Sequence, residues 1–281
     1  MAKPIIVIYG TTGTGKSSLA ISMARALGTS IISADSRKIY KELTIGTHKD
    51  ELIEAKTKYN IPVYGIDLIN PDESFNAFDF IEHTNPICDK ILKEGKIPII
   101  VGGTVMYITA LINNYTLRSS KPNPKLRATL ENKTLEELQA KVKKINIKSW
   151  NNLNESEQKN KRRLIRWIEI LSEDPTVDPK QKLRNNPKYR ILPIKLNRNI
   201  DELRNLLPHR VERMIKQGLI EETQKVLKKY HPDSPGLKTM GYPEIIKFLD
   251  NQITLEEMKL EIVRRHVKYA KYQIRWIKKY L

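Results

Sequence analysis

Short apolar runs alternate with amphipathic stretches over the first part of the chain. The run IIVIY at 5–9 is apolar and β-branched, which predicts a buried strand. Strands that alternate with helices need crossover connections, so the same alternation predicts a parallel sheet. The predicted strands here are 5–9, 30–33, 61–69 and 96–101, and the predicted helices are 17–27, 77–94 and 105–112.

The amino-acid composition changes near residue 117, where the polar, proline-bearing segment RSSKPNPKLR (118–127) predicts a linker. Lysine-rich stretches with helical spacing follow, and the run at 189–196 returns to strand character. We therefore predict an α/β fold, in which a parallel-sheet core flanked by helices holds an all-helical insertion domain. The core is predicted at 1–119 and 187–281, the insertion at 120–186, and further helices at 134–146, 155–172, 201–216, 219–230, 241–250 and 254–280.

The formal net charge of +18 is spread unevenly along the chain. Residues 1–120 carry 13 basic and 12 acidic side chains, whereas residues 121–281 carry 37 and 20. This asymmetry is typical of a protein that binds a polyanion, and it favours nucleic acid as the partner. A lysine-rich proteome is the alternative cause, although that bias would affect both parts of the chain.

The single cysteine, Cys88, allows no intrachain disulfide and suits a reducing compartment. Its place on the predicted helix 77–94 indicates a small core residue. The apolar run near the N-terminus is too short for a signal peptide or a membrane span. We expect a cytoplasmic monomer without membrane contact.

The segment GTTGTGKS fits the phosphate-loop pattern and lies between a predicted strand and a predicted helix. Its glycines let the backbone curl with the N–H groups inward, and the helix N-terminus adds partial positive charge. Lys16 supplies a full charge, and the Ser17 hydroxyl is a candidate Mg²⁺ ligand. The predicted phosphate-binding residues of this P-loop-type core are Gly10, Thr11, Thr12, Gly13, Thr14, Gly15, Lys16 and Ser17.

Asp35 and Thr104 each follow a predicted strand, so both are expected at the carboxyl edge of the sheet, where ligands bind. A carboxylate beside a phosphate site serves as a Mg²⁺ ligand or as a general base. A turn or helix-cap role is the alternative for either residue. The strand before Thr104 ends in Gly102 and Gly103, without the aspartate typical of ATP hydrolysis, so the loop predicts a diphosphate or triphosphate without specifying ATP.

Seven blocks of the sequence, in this order, resemble the tRNA dimethylallyltransferase family from end to end. Because they are ordered and span nearly the whole chain, they identify the family far more specifically than the phosphate loop alone. The blocks are GTTGTGKSSLA, SADSRKIYKELTIGTHKD, PIIVGGTVMYITALI, NKRRLIRWIEIL, HRVERMIKQGLIEET, MGYPEIIKFL and YAKYQIRWIKKY.

The resemblance implies that the loop holds dimethylallyl diphosphate, with Mg²⁺ as cofactor. It also implies an acceptor, the N6 amine of the adenosine 3′-adjacent to the anticodon, in the anticodon stem-loop of tRNA. By the same resemblance Asp35 is the base, Thr104 lies beside the reacting groups, and Arg210 adds to the diphosphate site. The implied tRNA-contacting residues are Asp35, Ser36, Arg37, Lys38, Thr104, Arg127, Arg162, Arg163, Arg166, Lys238, Gly241 and Tyr242.

The chain departs from the family pattern at several positions, which bear on the fit of the substrate. The residues that carry the chemistry, Lys16, Ser17, Asp35 and Thr104, are all retained. The departing residues are Thr11, His48, Asp50, Arg162, Pro243 and Arg275.

Three other functions share parts of this pattern. An AMP or ADP prenyltransferase shares the core chemistry but has no use for the basic second part of the chain. A P-loop nucleotide kinase shares the loop but needs a Mg²⁺ aspartate and a lid over its nucleoside monophosphate. A non-enzymatic RNA-binding protein accounts for the charge but leaves Asp35 and Thr104 unexplained.

The aromatic residues have a simpler interpretation. Tyr269, Tyr272 and Trp276 are interleaved with cations on one predicted helix, and this spacing predicts aromatic side chains that pack inward. Trp150 and Trp167 are likewise expected in a core.

Overall fold

The computed structural model describes residues 2–114, 123–176 and 187–281. These form two compact units, a core unit of residues 2–114 with 187–281 and a helical unit of residues 123–176. The domain boundaries predicted after 119 and after 186 fall at residues outside the described ranges, so they stay a prediction.

The core unit contains a five-stranded sheet in which every described pair of strands is parallel, in the order β3-β2-β4-β1-β5. The predicted α/β class is therefore confirmed. The third strand is shorter than the predicted 61–69 because Gly65 and Asp67, with φ of +76° and +53°, turn the chain out of the sheet. The strands are β1 (Pro4–Gly10), β2 (Ile31–Ser33), β3 (Val63–Tyr64), β4 (Ile99–Gly102) and β5 (Arg190–Leu196).

The register of the sheet aligns the carboxyl ends of its three central strands. Tyr9 of β1 lies opposite Gly102 of β4, and Ser33 of β2 lies opposite Val101. The segments that follow these strands therefore emerge at one edge, which is where ligands bind in open parallel sheets.

Four helices accompany the first four strands, and three of them were predicted. The exception is α2, whose sequence is mostly charged. Its buried residues are only Leu52 and Ala55, which pack in the cluster formed with the sheet. Its first turn carries Asp50 and Glu51, which favour a helix N-terminus. The helices are α1 (Lys16–Leu27), α2 (Asp50–Lys58), α3 (Ala77–Lys93) and α4 (Val105–Ile112).

The helical unit has helices and no strand among its described residues. The predicted linker was wrong over 124–127, because Asn123 accepts from the Leu126 amide and caps a helix with proline in its first turn. The single helix predicted at 155–172 is two helices, because Asn160 caps the second one. The helices are α5 (Pro124–Glu131), α6 (Leu135–Ile145), α7 (Ile147–Asn151), α8 (Glu155–Gln158) and α9 (Lys161–Glu173).

The last part of the core unit is helical, as predicted, and buries an apolar cluster of its own. Leu43 from the loop after β2 packs there with Val211, Met214 and Met258. A short 3₁₀ turn, Gly236–Lys238, separates the second and third of these helices. The helices are α10 (Ile200–Lys216), α11 (Leu219–Leu227), α12 (Tyr242–Leu249) and α13 (Leu255–Tyr280).

Candidate active site

A cleft of about 990 Å³ opens at the carboxyl ends of β1, β2 and β4, walled by the segments after those strands and by α2, α10 and α13. Its described lining contains ten Lys or Arg side chains against three Asp or Glu, so the cleft suits an anionic ligand. The basic residues are Lys16, Arg37, Lys38, Arg198, Arg210, Arg213, Lys238, Arg265, Lys268 and Arg275, and the acidic residues are Asp35, Asp50 and Glu51.

The predicted phosphate loop follows β1 and leads into α1. Gly10 must be glycine, because its φ is +150° and a Cβ there would lie 1.9 Å from the Leu196 carbonyl oxygen. Gly13 and Gly15 have φ of +75° and +79°, the left-handed conformation that glycine adopts at little cost. The predicted residues 12–17 line the cleft.

The Lys16 ammonium donates to the carbonyl oxygen of Thr11, within the loop itself, at 2.5 Å. Burial lowers the pKa of Lys16 to about 8; Asp35 acts in the opposite direction, and Arg210 and Lys38 add to the fall. A partly buried ammonium whose hydrogen-bond acceptors are neutral is suited to an incoming anion, which supplies negative charge.

Gln273 of α13 joins the phosphate loop to the segment after β4. Its side-chain oxygen accepts from the Thr12 amide at 2.9 Å, and its side-chain nitrogen donates to the Gly103 carbonyl at 2.9 Å. The side chain is 1% exposed, so both bonds are shielded from water. Gln273 lies within YAKYQIRWIKKY, the last of the seven family blocks, but neither periodicity nor composition singles it out, because it meets its partners across most of the chain.

Asp35 and Thr104 lie on adjacent segments, as the sequence predicted. Thr104 does not cap α4 with its side chain; its hydroxyl accepts from the Ser36 amide at 2.9 Å and donates to the Ser36 hydroxyl at 3.2 Å. Asp35 accepts from the Arg37 amide through Oδ1 at 2.9 Å, which is the predicted turn contact. Asp35 lines the cleft, and its catalytic role stays a prediction.

Arg210 lies at the phosphate loop, where the resemblance placed it. Its Nη1 donates to the Thr12 hydroxyl at 3.2 Å. Burial lowers the pKa of Arg210 to about 10, against the opposing effect of the nearby carboxylates of Glu51 and Asp50. Lys38 is 8% exposed, and burial likewise lowers its pKa. These side chains concentrate positive charge around the loop.

Two predicted tRNA contacts belong to the core instead. Tyr242 is fully buried, and its hydroxyl donates to Glu222 at 2.7 Å, so this side chain offers no surface to RNA. Gly241 begins α12, and its amide donates to Glu244 at 2.8 Å. The neighbouring Lys238 does line the cleft and keeps its predicted place.

The arginines predicted from the helical unit have different surroundings. Arg127 donates to both carboxylate oxygens of Glu169, at 2.8 and 2.9 Å, and Arg166 donates to the same carboxylate at 3.3 Å. Arg163 lies 3.6 Å from the Glu157 carboxylate, and Arg162 is exposed. Glu169 is 2% exposed, so Arg127 and Arg166 stabilise this unit whatever else they bind.

The basic surplus is shared between the two parts of the chain after residue 120. Residues 120–186 carry 16 basic and 9 acidic side chains, and residues 187–281 carry 21 and 11. The C-terminal helices supply Arg213, Arg265 and Lys268 to the cleft, and none of these was predicted as a site residue. The net positive charge of residues 187–281, counted separately from the insertion, is the sequence signal that could have indicated these cleft cations.

The expectation that the α13 aromatics pack inward was wrong. Tyr269 and Tyr272 line the cleft, and Tyr272 is 40% exposed. Ring centroids are 5.8 Å apart between Tyr272 and Trp276 and 4.5 Å apart between Trp276 and Tyr280. The buried positions of this helix are instead taken by small, aliphatic and polar residues such as Ala270.

Comparison with known proteins adds to this geometry. A model of the IPP transferase family matches residues 38–280, and a model of an isopentenyl transferase family matches residues 3–61. The chain belongs to the IPP transferase family.

Relatives in the IPP transferase family match over most of their lengths. A tRNA dimethylallyltransferase of Crocosphaera subtropica is 32% identical over 280 residues, which cover 100% of this chain and 90% of that protein. One of Pelotomaculum thermopropionicum is 34% identical and covers 99% and 88%. A solved structure of a eukaryotic dimethylallyltransferase acting on tRNA has a TM-score of 0.83 at 26% identity, and covers 98% of this chain and 70% of that one.

Among the described residues of this IPP transferase family member, no helix is long and apolar enough to cross a membrane.

Proposed function

We propose that this protein transfers the dimethylallyl group of dimethylallyl diphosphate to N6 of the adenosine 3′-adjacent to the anticodon of tRNA, and releases diphosphate. The observation that carries the proposal is the placement of the phosphate loop and Asp35 in one basic cleft of an IPP transferase family member. The names of the relatives support tRNA as the acceptor.

In the proposed reaction the adenine nitrogen attacks the first carbon of the allyl group. The new C–N bond forms as the C–O bond breaks, and the electron pair of that bond leaves on the diphosphate. The loop amides, Lys16 and Arg210 stabilise the developing negative charge, because they are fixed in place before the reaction.

The exocyclic amine of adenine is a weak nucleophile, since its lone pair is delocalised into the ring. Removal of its proton as the bond forms raises its reactivity, and Asp35 is the base that we assign. Its Oδ1 is held by the Arg37 amide, so we assign the proton to Oδ2. Thr104, tied to Ser36, is assigned a hydrogen bond to the reacting groups.

Mg²⁺ is the proposed cofactor, and the residues present fit it. The Ser17 hydroxyl is a hard oxygen donor at the end of the loop, and the phosphate oxygens of the ligand supply the others, a donor set that Mg²⁺ favours. When bound, the ion neutralises charge on the diphosphate as it departs.

The acceptor base has to leave the stacked anticodon loop, at a cost of about a few kcal/mol. Basic side chains offset this cost through phosphate contacts, and the cleft offers Arg37 and Lys238 at its lining. The comparisons do not favour a free-nucleotide prenyltransferase or a nucleotide kinase. The monomeric state and the cytoplasmic location stay predictions.

The test is mass spectrometry of nucleosides from unmodified tRNA that has been incubated with the protein, Mg²⁺ and dimethylallyl diphosphate. We expect a prenylated adenosine at the position after the anticodon, and none when the donor is omitted. Lys16→Ala is the matched inactive control. Prenylation of AMP as efficient as that of tRNA, or ATP turnover without any donor, would contradict the proposal.

A further inference from the structure

His48 connects two of the cleft cations. Its ring Nε2 accepts from Nε of Arg210 at 2.5 Å, and its backbone carbonyl accepts from the Lys38 ammonium. All three residues line the cleft, but the two cations come from different elements, α10 and the segment after β2. The sequence singled out His48 as a departure from the family pattern, and the proposed reaction assigns it no role.

The ring of His48 must be neutral, with its proton on Nδ1, because a guanidinium nitrogen can only donate. Burial, followed by the charges of Arg210 and Lys38, holds the pKa of His48 well below its ordinary value. A neutral acceptor orients the guanidinium without cancelling its charge. A carboxylate in the same place would orient it too, but would reduce its attraction for an anionic ligand.

The loop that carries His48 is fixed independently of the cleft. The Glu222 carboxylate accepts from the backbone amides of Thr44, Ile45 and Gly46 at 2.9–3.2 Å, and from the Tyr242 hydroxyl at 2.7 Å. Within the loop, the His48 amide donates to the Ile45 carbonyl at 3.1 Å. The backbone that carries the imidazole is therefore held by part-buried contacts with Glu222, which does not line the cleft.

Arg210 needs such a support. Its other observed contact at the loop is a 3.2 Å bond from Nη1 to the Thr12 hydroxyl, and a hydroxyl can rotate. A bond to Nε fixes the plane of the guanidinium, which in turn fixes the directions of the remaining donors. With Nε held by His48, these donors stay at the phosphate loop.

We propose that His48 is a positioning residue that orients Arg210 toward the diphosphate of the prenyl donor. The inference rests on the proposed diphosphate site. Substitution of His48 can test its side chain alone. It removes the ring that accepts from Arg210 but leaves the backbone carbonyl that accepts from Lys38.

The experiment is isothermal titration of inorganic diphosphate into the full chain with Mg²⁺, for five proteins: wild type, His48→Ala, His48→Gln, Arg210→Ala and the double variant. We expect His48→Ala to weaken binding about 10-fold, the scale of one hydrogen bond to a charged group. His48→Gln keeps a neutral acceptor and should recover most of the affinity. Since His48 acts through Arg210, the double variant should bind no more weakly than Arg210→Ala alone.

The exposed His231 offers a matched control, and His231→Ala should bind as the wild type does. Thermal unfolding of each variant checks that it is folded. Steady-state kinetics add a second readout, in which His48→Ala raises KM for the donor more than it lowers kcat.

Additive effects of the two single substitutions, or wild-type affinity in His48→Ala, would overturn the inference. The proposed function fails separately: if the wild type does not bind diphosphate, or if Lys16→Ala binds it equally well, the diphosphate site itself is wrong.

Discussion

Two cations at the phosphate loop and two arginines of the helical unit have different hydrogen-bond partners. In the cleft, Lys16 donates to a backbone carbonyl and Arg210 to a histidine ring. In the helical unit, Arg127 and Arg166 both donate to the Glu169 carboxylate. The first set donates to neutral acceptors, whereas the second set shares one buried carboxylate.

The pKa values separate the same two sets. Burial lowers the pKa of Lys16 to about 8, whereas the hydrogen bonds to Glu169 raise the pKa of Arg127. Burial among neutral partners raises the free energy of a cation, and a bound anion lowers it again. Such a cation therefore favours binding of an anionic ligand. A cation with a carboxylate partner contributes to the stability of the fold instead.

Replacing the carboxylate that faces the cleft cations should have the largest effect. Asp35→Asn removes the proposed base and keeps an oxygen for the Arg37 amide, so we expect turnover to fall about 10²–10⁴-fold. Single-turnover prenylation of tRNA measures the decrease. Affinity for tRNA should change much less, and a near-normal rate would mean that Asp35 serves only the turn.

Substitution of Lys16 tests whether a cation with neutral hydrogen-bond partners attracts the diphosphate. We expect Lys16→Ala to weaken diphosphate binding about 10- to 100-fold, the range for hydrogen bonds between charged groups. In the wild type the ammonium loses its proton as the pH rises through about 8, so binding should weaken above that pH. Titration calorimetry across pH measures both effects.

Lys16→Arg is the control for this pH dependence, because a guanidinium stays protonated throughout the range. The decline that the wild type shows should be absent in this variant. An equal decline in both proteins would assign the pH dependence to another group.

Glu169 tests the opposite side of the comparison. Glu169→Gln leaves two arginines without a carboxylate, and we expect a decrease of about 1–3 kcal/mol in the free energy of unfolding. Denaturant titration measures it. The matched control is Glu155→Gln, whose side chain is 79% exposed in a surface pair with Lys159 and should matter far less.

The pH dependence of this stabilisation has a definite sign. Burial raises the pKa of Glu169, but hydrogen bonds from Arg127 and the Asn123 amide more than offset this, so its pKa lies below the ordinary value. The contribution is therefore present above the unfolded-state pKa of a glutamate, about 4.3, and is lost as the pH falls through the lower folded value. The stability of Glu169→Gln should lack this component.

The exposed arginines should have the smallest effect, and only on tRNA. Arg162→Ala and Arg163→Ala are each expected to reduce the slope of log affinity against log salt by about one unit for every phosphate that is no longer neutralised. Filter binding at several salt concentrations measures the slope. Diphosphate binding should not change, because it depends on Lys16. Weaker diphosphate binding in either variant would contradict the separation between the loop cations and the arginines of the helical unit.

The local patterns of the sequence predicted much of the fold and part of the site. All five strands were predicted, although the third is shorter than expected, and the phosphate loop and the neighbouring placement of Asp35 and Thr104 also follow from apolar runs and the residues that end them. Such features depend on a few consecutive residues, so they can be recognised along the chain. The missed helix α2 has only two buried apolar residues, which is too weak a periodic signal.

The sequence by itself predicted the phosphate loop, because the spacing of its glycines and the lysine after them is typical of such loops. The structure then gives Gly13 and Gly15 the positive φ that this kind of turn requires. Only the tertiary structure decided the hydrogen-bond partners of the polar and charged side chains. Gln273 meets Thr12, His48 meets Arg210, and Glu169 meets Arg127 across separations of 261, 162 and 42 residues. No local pattern encodes these pairs, since they form only when packing brings distant segments together. Those partners then decide whether a charge attracts a ligand or stabilises the fold.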